Sequence, residues 1–287
     1  MKVIKTGEIM PDALEMLKDL QPYEDFTREA FNRLNFIIGF VEEQNPKIKD
    51  KYIENLIAQY KKLVKEDFVN KKKIDLKEVL PDFKQLQKQP ELAKLSLNFY
   101  LQNLQLADDV DWKKDKAKII NKNLLHSFLL PRYCNLSALI ETMGRDEGIK
   151  LYKRYITHYL IERRKTRKNT YESIEELFEA RQKLSPLLEW SVHYGLINEG
   201  KYFYRNNNCT WVDALQDYPD SELKYLICCY GDYEGVKLHN ENFILTMEHT
   251  IAEGDPYCSR VIHDTRVDYE LHHPTKDFWD DLKADKD

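Results

Sequence analysis

The sequence predicts an α+β protein, a helical N-terminal half followed by a small antiparallel sheet backed by helices. Three observations predict it. Only Gly7 and Gly39 precede residue 144, and the other seven glycines lie from Gly144 onward. Glycine supplies the positive-φ positions of turns and hairpins, so the glycine-poor half reads as helices. Apolar residues in that half recur at helical spacing, whereas after Pro186 aromatic and β-branched runs alternate with turn residues.

The elements follow in order. Ile48, Tyr52, Ile53, Leu56, Ile57, Tyr60, Leu63 and Val64 form one amphipathic stripe with Lys, Glu, Asn and Gln between them. Residues 26–41 and 92–106 repeat the pattern, and Pro46, Pro81 and Pro90 punctuate it as helix breakers. Lys71-Lys72-Lys73 reads as an exposed loop. Two further helices are expected in LLHSFLLPRYCNLSALIETMG and DEGIKLYKRYITHYLIERR, with Pro131 kinking the first or starting it afresh. Gly144 is the expected C-cap and Asp146 the expected N-cap between them. SIEELFEARQKL opens with a Ser-x-x-Glu capping box at Ser173. LLEWSVHYGLI and GKYFYRN flank the turn Asn198-Glu199-Gly200 and read as a hairpin. WVDAL and SELKYLICCYG read as helices, the second capped by Ser221, and residues 245–266 read as a second hairpin. The organisation expected is a helical region over 1–120, an α+β domain over 121–270 and an acidic tail over 271–287.

Composition narrows the function. With 287 residues, 42% of them hydrophobic and 32% charged, the chain can bury a real core. A net charge of −5 argues against nucleic acid, which needs a strong basic patch. The basic run from Arg163 to Lys168 is the exception, and a helix end with its cations on the favourable side of the dipole is the preferred reading. No stretch approaches the roughly 18 apolar residues of a membrane span, and the first eight residues lack the apolar region of a secretory signal. Five cysteines, with Cys228 and Cys229 adjacent, suit free thiols in a reducing cytoplasm. No CxxC pair signals structural zinc, GxGxxG, GxxxxGK[ST], GxSxG and HExxH are absent, and the helical first half holds no Glu-x-x-His pair of the di-iron kind. No metal and no cofactor are expected.

The second hairpin carries the chemistry. If Ile251 and Tyr257 flank its turn, Glu248 falls opposite Arg260 and Thr250 opposite Cys258. Phe243, Leu245, Met247, His249, Ser259, Val261 and His263 then share an apolar core face, and Thr246, Glu248, Thr250, Cys258, Arg260 and Asp264 share a polar one. A bulge would swap this assignment. The polar face is either solvated, which composition favours, or partly roofed by a helix to leave a cleft with a thiol, a hydroxyl, a carboxylate and a guanidinium. Cys134 reads as a small core hydrophobe. Cys228 and Cys229 point about 100° apart on one helix, so at most one faces a given pocket. Cys209 precedes a helix N-terminus, a position that can lower a thiol pKa.

From RNNNCTWVDALQDYPDSELKYLICCYGDYEGVKLHNENFILTMEHTIAEGDPYCSRVIHD the chain resembles the L-2-amino-thiazoline-4-carboxylic acid hydrolase family over roughly residues 120–268. The matching residues are Cys209 in a loop, Cys229 with Asp232 at a helix end, and Thr250 with Gly254, Asp255 and Cys258. The long N-terminal helical extension, the acidic tail and Ser259-Arg260 after the cysteine depart from the family pattern. The resemblance implies cofactor-independent hydrolysis of a C–N bond in a small cyclic amidine or amide. Cys258 or an activated water would attack the sp² carbon, with Asp255 or Glu248 shuttling the proton and Thr250 beside them. Arg260 would hold a substrate carboxylate and the amides around Gly254 would take up developing negative charge, with Cys209, Cys229 and Asp232 lining the site. A non-catalytic small-molecule sensor of the same fold is the alternative. A metal enzyme built on His249, His263 and Cys258 is disfavoured by their expected placement on opposite faces. A small-molecule substrate, a cytoplasmic location and N-terminal helices that close the pocket or form a homodimer interface complete the expectation.

Overall fold

The computed structural model describes residues 3–107, 109–165, 168–184, 189–198 and 200–282. Thr166 and Arg167 of the basic run, Pro186, Glu199 of the first hairpin turn and the last five residues of the acidic tail lie outside the described residues. The chain divides into two compact units, Glu15–Tyr155 and Met1–Leu14 with Ile156–Asp287. The helical first half and the antiparallel sheet with helices in the second are both present, as the sequence predicts.

The first unit is built on amphipathic helices. Lys49–Leu63 buries Tyr52, Ile53, Leu56 and Tyr60 and leaves Lys51, Lys61 and Lys62 outside. Asn121–Met143 runs unbroken through Pro131, so the proline neither restarts nor ends it. Asn135 ties the next turn back, its amide donating to the Pro131 carbonyl at 2.6 Å while its own oxygen accepts from Tyr52 Oη at 2.7 Å. Gly144 closes that helix at φ +86° as expected. The next helix, Arg145–Lys165, starts one residue before Asp146, which therefore sits in the first turn as a dipole-matched acid rather than as the cap. Gly148 lets the two helices touch, since a Cβ there would lie 2.8 Å from the Ile140 backbone. Two features depart from the sequence reading. Lys71 belongs to a short helix, Phe68–Lys71, capped by Asp67. A two-stranded ribbon pairs β2 (Leu17–Leu20) with β3 (Ala117–Ile120) inside the helical half.

The second unit holds, among the described residues, a five-stranded antiparallel sheet. Its strands are β1 (Val3–Thr6), β4 (Val192–Leu196), β5 (Lys201–Asn206), β6 (Phe243–Met247) and β7 (Cys258–Asp264), in the order β1-β4-β5-β7-β6. Both faces of the sheet are covered. On one, Tyr194, Tyr202, Phe243, Leu245 and Ile262 pack with Ile174 and Val236. Ile174 opens the Ile174–Gln182 helix, whose N-cap Ser173 accepts from Glu176 N, as the capping box predicts. On the other, Phe203, Tyr257 and Val261 pack against Trp279, which is fully buried on the helix Lys276–Asp280. Residues 276–282 of the segment expected as an acidic tail thus form a structural layer against the sheet.

The register of the second hairpin differs from the sequence reading by one residue. Met247 stands opposite Arg260 and Leu245 opposite Ile262. The strand body therefore puts Phe243, Leu245 and Met247 on the face of Cys258 and Arg260, with Ile244 and Thr246 on the face of His263. The physical reason is an extra residue at the strand end. Ser259 N bonds to His249 O at 3.0 Å, and Ser259 Oγ accepts from both Glu248 N and His249 N. Two residues there oppose one, as in a β-bulge.

Candidate functional site

Five residues singled out in the sequence converge on the first face of the sheet. Cys258 and Arg260 point there from β7, with Cys258 buried at 2% exposure. Cys229, equally buried, caps the C-terminus of the Ser221–Cys228 helix, and three residues later Asp232 opens the short Asp232–Gly235 helix. Cys209 is the N-cap of Thr210–Asp213 and packs with Cys229 against Val212 and Ala252. The Ser221–Cys228 helix takes its own N-cap from Asp220, whose carboxylate accepts from Leu223 N at 3.1 Å, and Ser221 is its first residue rather than its cap. A roof of short helices therefore covers a thiol-rich patch of sheet.

Arg260 is the electrostatic centre of this patch. Its guanidinium pairs with the Asp232 carboxylate and lies 3.5 Å from Tyr204 Oη. The expected partner Glu248 is exposed and out of register with it, so the pairing predicted for that carboxylate is replaced by Asp232. Arg260 Nε is buried without a hydrogen-bond partner. Burial disfavours the Arg260 charge, but the Asp232 carboxylate holds it firmly protonated. Burial pushes the Cys258 thiol up, and Arg260 only partly offsets that, while Asp232 adds to it. Cys209 is likewise pushed up by burial, so the helix N-terminus that could have lowered it does not prevail. Burial raises Cys229 as well. In the resting arrangement the thiols are protonated beside a fixed cation, and Cys258 Sγ accepts from Ile251 N.

Thr250, Gly254 and Asp255 do a different job. Thr250 N donates to Asp255 Oδ2 at 2.8 Å, and Asp255 N returns to Thr250 O at 3.1 Å. Thr250 Oγ donates to Glu253 Oε2 at 2.7 Å, and Gly254 turns the chain at φ +105°. The amides of Gly254 and Asp255 are engaged inside this loop, and the amide that reaches the thiol is Ile251 N, 3.4 Å from Cys258 Sγ. The loop thus fixes where Cys258 stands. It holds the thiol through backbone geometry rather than through the side chains of Thr250 and Asp255.

Sequence reasoning missed two groups. Tyr204, opposite Arg260 on β5, carries the guanidinium 5.6 Å from its ring centre. Only the β5–β7 register, invisible without the fold, identifies it. The second group is a hydrogen-bonded set on the other sheet face: Ser259, His263, Thr246, Asp268 and His273. His249 and His263 sit on that face and Cys258 on the opposite one, so these three do not converge on a metal. Among the described residues no set of three or more His, Cys, Asp or Glu side chains is arranged to hold a metal ion.

Fold and site together define an α+β domain with a roofed, cationic thiol cluster on its sheet. Residues 123–261 match the model of the L-2-amino-thiazoline-4-carboxylic acid hydrolase family, which bears out the resemblance read from the sequence and supports a hydrolase-like function in general. No curated protein and no solved structure matches the chain. No helix among the described residues is long and apolar enough to cross a membrane.

Proposed function

We propose that the chain is a cofactor-independent hydrolase of a C–N bond in a small cyclic amidine or amide, with Cys258 as nucleophile and Arg260 as the anchor for a substrate carboxylate. The observation that carries this reading is Arg260, a half-buried cation whose buried Nε is unpartnered beside Cys258. A planar guanidinium grips a carboxylate through two parallel N–H donors, and here one of those donors is free. Asp232, whose side chain is 40% exposed, is the group such a ligand would displace.

The chemistry balances without a preformed thiolate. The Cys258 thiol adds across the substrate C=N bond, sulfur to carbon and proton to nitrogen. Collapse of the adduct expels that nitrogen as an amine, the second amidine nitrogen supplying the proton and becoming a C=N. Water then adds to the thio-linked carbon and returns the thiol. Because burial keeps Cys258 protonated, the basic substrate nitrogen serves as its proton acceptor.

The test is turnover of 2-aminothiazoline-4-carboxylate and related cyclic amidines by the wild type, Cys258→Ala and Arg260→Met. Loss of turnover in Cys258→Ala, with a raised KM in Arg260→Met, is expected; full activity of Cys258→Ala would sink the nucleophile assignment. The burial of Cys258 favours one second reading, a small-molecule binding module of the same fold. That reading wins if these compounds raise the melting temperature without being consumed. The free thiols of Cys134, Cys209, Cys228, Cys229 and Cys258 fit a reducing cytoplasm, and a homodimer through the helical region is the assembly expected, to be read by sedimentation.

A further inference from the structure

On the sheet face away from the thiols, a directed chain of hydrogen bonds ties the C-terminal segment down. Asp268 Oδ2 lies 2.5 Å from His263 Nδ1, and His263 Nε2 lies 2.7 Å from Thr246 Oγ. Thr246 Oγ lies 2.8 Å from His273 Nδ1, and His273 Nε2 lies 3.1 Å from Ser259 Oγ. Ser259 and His263 are fully buried.

An ionised Asp268 sets the direction of every link. It accepts from His263 Nδ1–H, so His263 Nε2 is left to accept from the Thr246 hydroxyl. That hydroxyl, its proton given, accepts from His273 Nδ1–H, and His273 Nε2 accepts from Ser259. The chain closes only while both imidazoles are neutral. A proton on His273 Nε2 would put a third donor against Ser259, whose oxygen already accepts from His249 N at 3.0 Å and Glu248 N at 3.4 Å.

His273 belongs to the segment it secures. It stacks on Trp279 at 5.3 Å, and Trp279 Nε1 donates to Pro274 O at 3.1 Å. Arg205 donates to the Trp279 carbonyl, and Tyr257 Oη donates to Asp280 Oδ1 at 2.8 Å. We propose that residues 271–282 are a proton-gated strap, docked on the sheet while His263 and His273 are neutral and lifted when they take up protons.

The charged neighbours leave this direction intact. Lys201 sits 3.4 Å from Asp268, Arg205 lies over Tyr257, and Asp280 is paired with Lys276. His249, 3.2 Å from Ser259, shares this face with His193, which stands opposite Arg205 and beside Lys5 and is lowered by burial and then by those two cations. Burial, then His263 and His249, holds His273 down to about 4. Burial also lowers His263, although Asp268 works against it. A freed strap takes up its proton near the ordinary histidine value of about 6.5. The lifted form therefore binds more protons. Docking is complete above that value and weakens, by at most about tenfold per pH unit for each histidine that takes up a proton, as pH falls from there toward 4.

Hydrogen–deuterium exchange of the full chain at about pH 7.5 and about pH 5, corrected for intrinsic rates, tests this. Peptides covering 271–282 are expected to lose about thirtyfold in protection through His273 alone while peptides of β7 keep theirs. His273→Gln, which keeps a donor and an acceptor but does not titrate, is expected to flatten the response. Unchanged protection of 271–282 would overturn the proposal. So would β7 opening in step with the strap, or a wild-type pH response in His273→Gln. The first two outcomes need only the wild-type chain, so they decide even if the variant does not fold.

Discussion

Asp232→Asn isolates the electrostatics of the thiol cluster. Asp232 pairs with Arg260, and its charge raises the Cys258 thiol that Arg260 lowers. Neutralising it leaves the guanidinium unopposed beside a buried sulfur. A single charge within about 4–6 Å typically changes the ionised fraction of such a group by about tenfold or more. Each thiolate becomes a weaker nucleophile as its basicity falls, with a Brønsted slope of about 0.4–0.5, so a tenfold gain in thiolate yields only about a threefold gain in rate. The expected result is alkylation of Cys258 by iodoacetamide about 3–10-fold faster than in the wild type. Peptide mapping by mass spectrometry over time reads each site separately. Cys134 is the internal reference, because burial pushes it up to about 12 and it lies in the other compact unit. Arg260→Met is expected to slow the same reaction. The electrostatic argument fails if Cys258 in Asp232→Asn reacts no faster relative to Cys134 than in the wild type. It fails equally if Arg260→Met accelerates alkylation.

Two substitutions test the packing inside each compact unit. Gly148→Ala places a methyl 2.8 Å from the Ile140 backbone and is expected to cost about 1–3 kcal/mol in thermal unfolding, so a wild-type melting temperature would contradict the close approach. Trp279→Ala empties a fully buried site beneath the sheet and is expected to cost about 3–5 kcal/mol in denaturant titration. A loss under about 1 kcal/mol there would show that residues 271–282 are not a layer of the core.

What could be read from the sequence follows from the range of the interactions involved. The helices around Tyr52, Leu136 and Ser173 were legible because periodicity and caps are local. The hairpin strands were legible for the same reason. Their register was not, because it turned on one residue, Glu248, whose insertion opposite Ser259 is held by a side-chain oxygen accepting two backbone amides. Periodicity cannot see such a bulge. The β7 alternation survived the error, since parity along a single strand does not depend on its partner. Cys258 and Arg260 therefore fell on one face, and Ser259 and His263 on the other, as the sequence implied. Partners supplied by distant elements were out of reach. Asp232 reaches Arg260 across 28 residues, and Tyr204 across 56.

This parity has a functional consequence. A single strand of seven residues serves two chemically separate surfaces, a thiol–guanidinium patch under short helices and a hydroxyl–imidazole chain under the C-terminal segment. The first is tuned by a cation and a carboxylate, the second by protons on neutral histidines. Substitutions at Cys258 or Arg260 should leave the acid response of residues 271–282 unchanged, and His273→Gln should leave the alkylation rate of Cys258 unchanged. Side chains on opposite sheet faces share no contact, so their effects are expected to add to within about 0.5 kcal/mol. Coupling well beyond that would mean that the strand itself shifts, carrying the Cys258 loop and the Ser259 bulge together.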